Sequence, residues 1–244
     1  MKIAKNEIFK YWQTSRNSEN RCFMRFDYGK LKEMQSQIAR SIREEGIKPE
    51  EIRYVAGFEA VFYGSVAIIG AAVFNFKTGE LVEKKTLSTK APMNYVPGFE
   101  AFREGPLICQ LYYDLEYEPD VLIVSGAGKS HARECGTAAF VGVELSKPVI
   151  GVAKGAQGEI TESGKVLVEG EVRAARLQTK EHAKPVFVSV GNNIALKDAV
   201  FVVGKLIVPP HKMPEPLHVA RRLAKTVAKE RTVPARRERA LCKA

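Results

Sequence analysis

No apolar run in these 244 residues approaches the roughly 18 needed to span a bilayer as a helix. The start is equally poor in hydrophobicity: charge begins at Lys2, and no apolar leader core follows. Cysteine is scarce. Cys22, Cys109, Cys135 and Cys242 form no Cys-x-x-Cys pair, and no histidine cluster completes a zinc site. A zinc ribbon drops out, and the thiols read as the reduced cysteines of a cytoplasmic protein. No internal repeat and no linker-like stretch separates the chain into parts. The expectation is one domain over 1–244, with 1–50 as an N-terminal extension and helix and 234–244 as a basic tail. Acidic residues are also short. The 28 Asp and Glu stand against 38 Lys and Arg, a net charge of +10 (38 − 28). A basic excess favours a polyanionic partner, nucleic acid ahead of membrane.

What is present is ordinary globular material, 45% hydrophobic and 27% charged, enough to bury a full core. Phe9, Tyr11 and Trp12 near the start are expected to pack on the domain. Leu31, Met34, Ile38 and Ile42 recur at three- and four-residue spacing, which predicts an amphipathic helix over Gly29–Gly46, stopped by glycine. Strands are expected at Tyr54–Tyr63, Ser65–Phe76 and Leu81–Thr89, joined by tight turns into an antiparallel meander. The pattern then changes. A helix is expected from Pro106, at a first-turn position, to about Tyr117. Val121–Val124 and Val149–Ala153 are short apolar runs of the buried, parallel kind, with a helix at Gly136–Leu145 between them. A hairpin around Gly164 (Glu159–Arg173), a strand at Pro185–Val190 and a helix at Ala195–Ile207 follow. Antiparallel strands first and β-α-β units later give an α/β chain with a mixed sheet flanked by helices.

The last segment, Pro214–Ala244, reads as basic helix. From His211 onward ten Lys/Arg face three Asp/Glu, a local net of +7 (10 − 3). Such a segment is either a solvated helix with a tail or a phosphate-contacting arm. Gly128-Lys129-Ser130 ends like a phosphate-binding P-loop, but that motif needs glycine where Ile123 stands. Tyr95 lies just before Pro97-Gly98, where the backbone must turn sharply. By spacing alone this is a strand-to-helix connection with an incidental tyrosine.

Several segments together resemble the endonuclease V family, nucleases that cut nucleic acid near deaminated bases. Asn94-Tyr95-Val96-Pro97-Gly98, followed by Phe102-Arg103-Glu104, is similar to that family's Pro-Tyr-[Ile/Val]-Pro-Gly … Phe-Arg-Glu signature, with Asn94 in place of the first proline. Val55-Ala56-Gly57-Phe58-Glu59 resembles [Ile/Val]-Ala-Gly-x-Asp, with Glu59 for aspartate. Val124-Ser125-Gly126-Ala127-Gly128-Lys129-Ser130-His131 resembles Val-Asp-Gly-x-Gly-x-x-His, with Ser125 for aspartate. Ile150-Gly151-Val152-Ala153-Lys154 matches a further strand end. Pro214 to Arg221 resembles a C-terminal segment in which His218 replaces arginine and Arg221 replaces a metal-proximal His or Asp. Gly191-Asn192-Asn193 stands where Gly-His-Arg is common.

The resemblance, spanning Ile52 to Ala224, implies a ribonuclease H-like fold and a DNA or RNA partner engaged as a monomer. It implies catalytic roles for Glu59, Glu104, His131 and Lys154. Nucleic-acid contacts fall on Tyr95, Val96, Pro97 and Gly98, the wedge, and on Gly126, Gly128 and Ser130. Phosphodiester cleavage on this scaffold needs clustered carboxylates around Mg²⁺ or Mn²⁺. Glu59 and Glu104 are the acidic ligands available, and Ser125 brings no charge. The expectation is therefore a nucleic-acid-binding protein with weak or absent nuclease activity, the alternative being an active metal-dependent endonuclease directed at inosine.

Overall fold

From Tyr54, large apolar residues run through a segment of small ones and form β1 (Tyr54–Tyr63), which turns at Gly64 into β2 (Val66–Asn75) and then into β3 (Leu81–Lys90). The pairing is antiparallel throughout, with Glu59 opposite Gly70 across β1 and β2. The later apolar runs become β4 (Val121–Ser125), parallel to β1, and β5 (Val149–Ala153), parallel to β4. Beyond them come β6 (Glu159–Ile160), β7 (Lys165–Val168), β8 (Glu171–Leu177) and β9 (Val186–Asn192). The nine strands make one mixed sheet in the order β3-β2-β1-β4-β5-β9-β8-β7-β6. The hairpin expected over Glu159–Arg173 is thus a three-strand ribbon that runs on to Leu177. The structure, a computed structural model, describes residues 26–241, with side chains as far as residue 230. Phe9, Tyr11 and Trp12, and the side chains of the tail 234–244, lie outside the described residues. Among those residues no helix is long and apolar enough to cross a membrane.

Helices cover both faces. On one side α1 (Tyr28–Ser41), α2 (Glu100–Tyr113) and α3 (Thr137–Leu145) bury Leu31, Phe102 and Phe140 against Ala56 and Phe58 of β1. On the other, α4 (Leu196–Lys205) and α5 (Glu215–Leu241) bury Val202 and Leu217 against Val55, Ile123 and Val152. Successive strand residues alternate between the two layers.

Helices α1 and α2 depart most from the sequence expectation, and α2 also ends at Tyr113 instead of about Tyr117. Helix α1 stops at Ser41, not Gly46, because the following backbone is claimed by other parts of the fold. The Arg43 N–H donates to Asn192 Oδ1 at 2.9 Å, and the Ile47 N–H to Asp198 Oδ2 at 3.1 Å. Helix α2 begins at Glu100, so Pro106 lies inside it and not in its first turn. An interior proline costs a helical hydrogen bond and crowds the residue before it. That residue is Gly105, which has no Cβ to crowd. A Cβ there would also stand 2.3 Å from the Phe140 ring, so the same glycine lets α2 and α3 pack closely.

Candidate nucleic-acid interface and the carboxylate pocket

Strand parity determines which side chains meet. Val55, Ile123 and Val152 pack on the α5 side of the sheet, so Glu59, Ser125 and Lys154 share that face by the two-residue period. Helix α5 lies directly on β1 and β2 because both strands carry glycine beneath it. A Cβ at Gly57 would come within 2.3 Å of the Pro216 backbone, and one at Gly70 within 2.2 Å of the Ala220 carbonyl oxygen. This contact brings Arg221 over the sheet. Its Nη1 donates to Glu59 Oε1 at 2.7 Å, across 162 residues of sequence. The carboxylate is the buried partner: the Glu59 side chain is 8% exposed and that of Arg221 38%.

Glu104 reaches the same region from α2. Thr137 Oγ1, at the start of α3, donates to Glu104 Oε2 at 3.1 Å. Burial nevertheless pushes the Glu104 carboxyl up to about 7, and the negative charges of Glu100 and Glu59 add to the shift. Lys154 sits just past β5. Burial of its ammonium end, then the nearby Arg221 guanidinium, hold it below the ordinary lysine value; Lys225 and Lys212 act in the same direction, and Glu59 opposes. Glu59 thus lies near both Glu104 and Lys154, with Arg221, Thr137 and two lysines around them.

A divalent cation does not fit these side chains. One carboxylate is already bound to a guanidinium, the other sits near neutrality around pH 7, and Ser125 contributes no charge. Among the described residues no three His, Cys, Asp or Glu side chains come together in a way that could hold a metal ion.

His131 belongs to a second cluster. The Arg133 backbone N–H donates to its Nδ1 at 3.2 Å, which leaves the ring proton on Nε2. Burial, then the Arg133 charge, lower its pKa from the usual histidine value, while Glu100 opposes. Around it stands the Tyr95 turn. Gly98 adopts φ +82°, a conformation L side chains rarely take, and Glu100 Oε1 accepts from the Gly98 N–H at 3.1 Å and the Tyr95 hydroxyl at 3.2 Å. The Tyr95 ring is 57% exposed, and the Arg103 guanidinium lies 5.7 Å from its centroid and 3.7 Å from that of Phe62. Val96 faces the core instead of the surface.

The turn is braced from behind. Gln35 Nε2, on α1, donates to the carbonyls of Gly98 at 3.0 Å and Cys135 at 3.1 Å. Arg133 donates to Gln35 Oε1 at 2.6 Å and also to the Gly98 carbonyl. No sequence signal marked Gln35, Arg133 or Thr137, since their partners lie tens of residues away. Gly128 and Ser130 are part of the scaffold: the Gly128 N–H donates to Ser189 Oγ on β9 at 2.9 Å, and Ser130 is buried.

The family model described as Endonuclease V matches residues 36–222. The Endonuclease V of Thermofilum pendens is 37% identical over 209 residues, covering 84% of this chain and 90% of that protein. Among solved structures, the Endonuclease_V of Bacillus subtilis superposes with a TM-score of 0.77 at 28% identity, covering 86% of this chain and 96% of its own. The fold is also that of Ciona intestinalis Endonuclease V, solved in complex with a 24mer DNA containing an inosine followed by a ribo-adenosine. The TM-score there is 0.74 at 22% identity, with 83% and 98% of the two chains covered.

Proposed function

Because this chain belongs to the endonuclease V family, we propose that it binds nucleic acid through the Tyr95 turn and the basic face of the sheet, with nuclease activity weak or absent. One observation carries the reading: the 2.7 Å ion pair of Arg221 with Glu59, at the carboxylate that would otherwise hold a cation. Hydrolysis assisted by metal ions depends on fixed negative charge that positions the ion and lets it activate water. Here that charge is spent on a guanidinium, and Glu104 shares its proton with solvent near neutral pH. Glu59 and Glu104 together therefore supply too little free charge to position Mg²⁺ or Mn²⁺.

What remains suits binding. The Tyr95 ring projects beside Asn94 and Pro97, both exposed, and is held by Glu100 on one side and Arg103 on the other. An aromatic ring so presented stacks on a base or wedges between bases, worth roughly 1–3 kcal/mol per base. Gln35 and Arg133 hold the turn through the Gly98 carbonyl.

The test is cleavage and binding of single- and double-stranded DNA and RNA oligonucleotides containing inosine, with Mg²⁺ and with Mn²⁺. The expected outcome is retarded mobility that weakens steeply as salt rises, with little or no product. Tyr95→Ala should weaken binding about tenfold and leave thermal melting unchanged. Efficient cutting by the unaltered protein, abolished by Glu104→Ala, would overturn the reading and favour an active metal-dependent endonuclease.

A further inference from the structure

We propose that Arg221, with Lys154 and Lys225, forms a phosphodiester-binding site on the α5 face of the sheet, in which the guanidinium supplies the charge that a divalent cation would bring. The inference rests on the nucleic-acid reading above and adds where, and through which group, the backbone is held.

The ion pair is lopsided. Glu59 is buried beneath it, while the Arg221 side chain is 38% exposed. A guanidinium carries five N–H donors in a planar fork. The hydrogen bond to Glu59 Oε1 employs Nη1, and the exposed edge of the fork remains available to solvent. Helix α5 is seated directly on the sheet here, its backbone against Gly57 and Gly70, where a Cβ would not fit. The 2.7 Å bond to buried Glu59 holds the guanidinium at the sheet surface.

Its surroundings are cationic as well. Lys225 lies one turn further along α5, at the i,i+4 spacing that puts it on the same side of the helix. Lys154 comes from the end of β5 on the same face of the sheet. Burial first, and then Arg221, Lys225 and Lys212, disfavour the charge of Lys154, which places all four cations in one neighbourhood. Against these four cations stands the Glu59 carboxylate, buried and already paired with Arg221. An anion entering between Arg221 and Lys154 relieves that repulsion. A phosphodiester has the right form: one negative charge on two non-bridging oxygens, matched to the guanidinium fork. Its repetition along a strand also lets neighbouring phosphates reach Lys225.

The experiment is fluorescence anisotropy with a labelled single-stranded DNA oligonucleotide containing inosine, at matched ionic strength in EDTA and in Mg²⁺. Affinity should be the same in both. Arg221→Gln should weaken binding about tenfold and flatten the slope of log affinity against log salt by about one. Glu59→Gln should tighten binding, because it removes the carboxylate that competes with phosphate for Arg221; a purely structural pair gives no reason for a gain. Arg221→Gln leaves a buried carboxylate unpaired and can destabilise the fold. The double variant Glu59→Gln/Arg221→Gln avoids that, and should bind as weakly as the single. Lys197→Ala, on α4 beyond the opposite end of β9, should match the unaltered protein. If the double variant binds like the unaltered protein, or Glu59→Gln weakens binding, the site is refuted while the nucleic-acid reading stands. If the unaltered protein binds no oligonucleotide in either buffer, both fall.

Discussion

The carboxyl of Glu104 holds its proton over more of the pH scale than an exposed glutamate, because burial disfavours its charge and Glu100 and Glu59 add to the effect. The sign follows from proton linkage. Between the ordinary value of 4.5 and about 7 the folded protein keeps a proton that the unfolded chain has released. The contribution to folding is therefore full below the ordinary value and is lost as pH rises through about 7. Its size is up to about 3 kcal/mol. In EDTA, the melting temperature of the unaltered protein should fall between about pH 5 and pH 8, and Glu104→Gln should remove most of that fall. Parallel melting curves for the two would show that the proton is held no more tightly in the folded state. At this scale the sequence was informative about identity and silent about pairing. Glu59, Glu104 and Lys154 were found by their motifs, and Arg221 was visible as a cation out of place. That Arg221 closes on Glu59 depends on a helix crossing two strands, which no local spacing reveals.

Elements were more legible than their ends. β5 matches its apolar run residue for residue, because a strand buried on both faces writes itself as unbroken hydrophobicity; β1 matches its expected span as well, with Glu59 interrupting the run. The end of α1 and the start of α2 were misjudged for one reason: hydrogen bonds and packing from distant segments outweighed glycine and proline as local punctuation. The layering of α5 on the sheet makes its own prediction. Gly70→Ala places a methyl group 2.2 Å from the Ala220 carbonyl oxygen and must push the helix outward. Overpacking of this kind costs about 1–3 kcal/mol, read as a lowered melting temperature. Adding Ala220→Gly should not recover it, since the obstruction is backbone and not side chain. Recovery by that second change would place the crowding at the Ala220 methyl instead.

The whole molecule is a three-layer α/β sandwich of the ribonuclease H-like class; the mixed sheet flanked by helices followed from strand runs first and β-α-β units later, and the class from the family resemblance. Its charge was legible as well, but the gathering of four cations around one carboxylate was not, since they come from β5, α5 and the segment before α5. The architecture suggests how far the pocket stands from a metal-binding one. The triple variant Ser125→Asp/Glu59→Asp/Arg221→His returns negative charge to the sheet face and removes the guanidinium. Calorimetric titration with Mg²⁺ should show no heat of binding for the unaltered protein and saturable binding for the triple variant. Saturable binding by the unaltered protein would mean that Arg221 yields its place to the ion. The pairing across 162 residues also has a consequence in time. In a chain made from its N-terminus, Glu59 emerges long before Arg221 and until then has no guanidinium to meet. Contacts so distant along the chain close late, after the loops between them have been ordered. The nascent sheet thus carries an open acidic notch until the last helix docks, and its closure marks the completed fold.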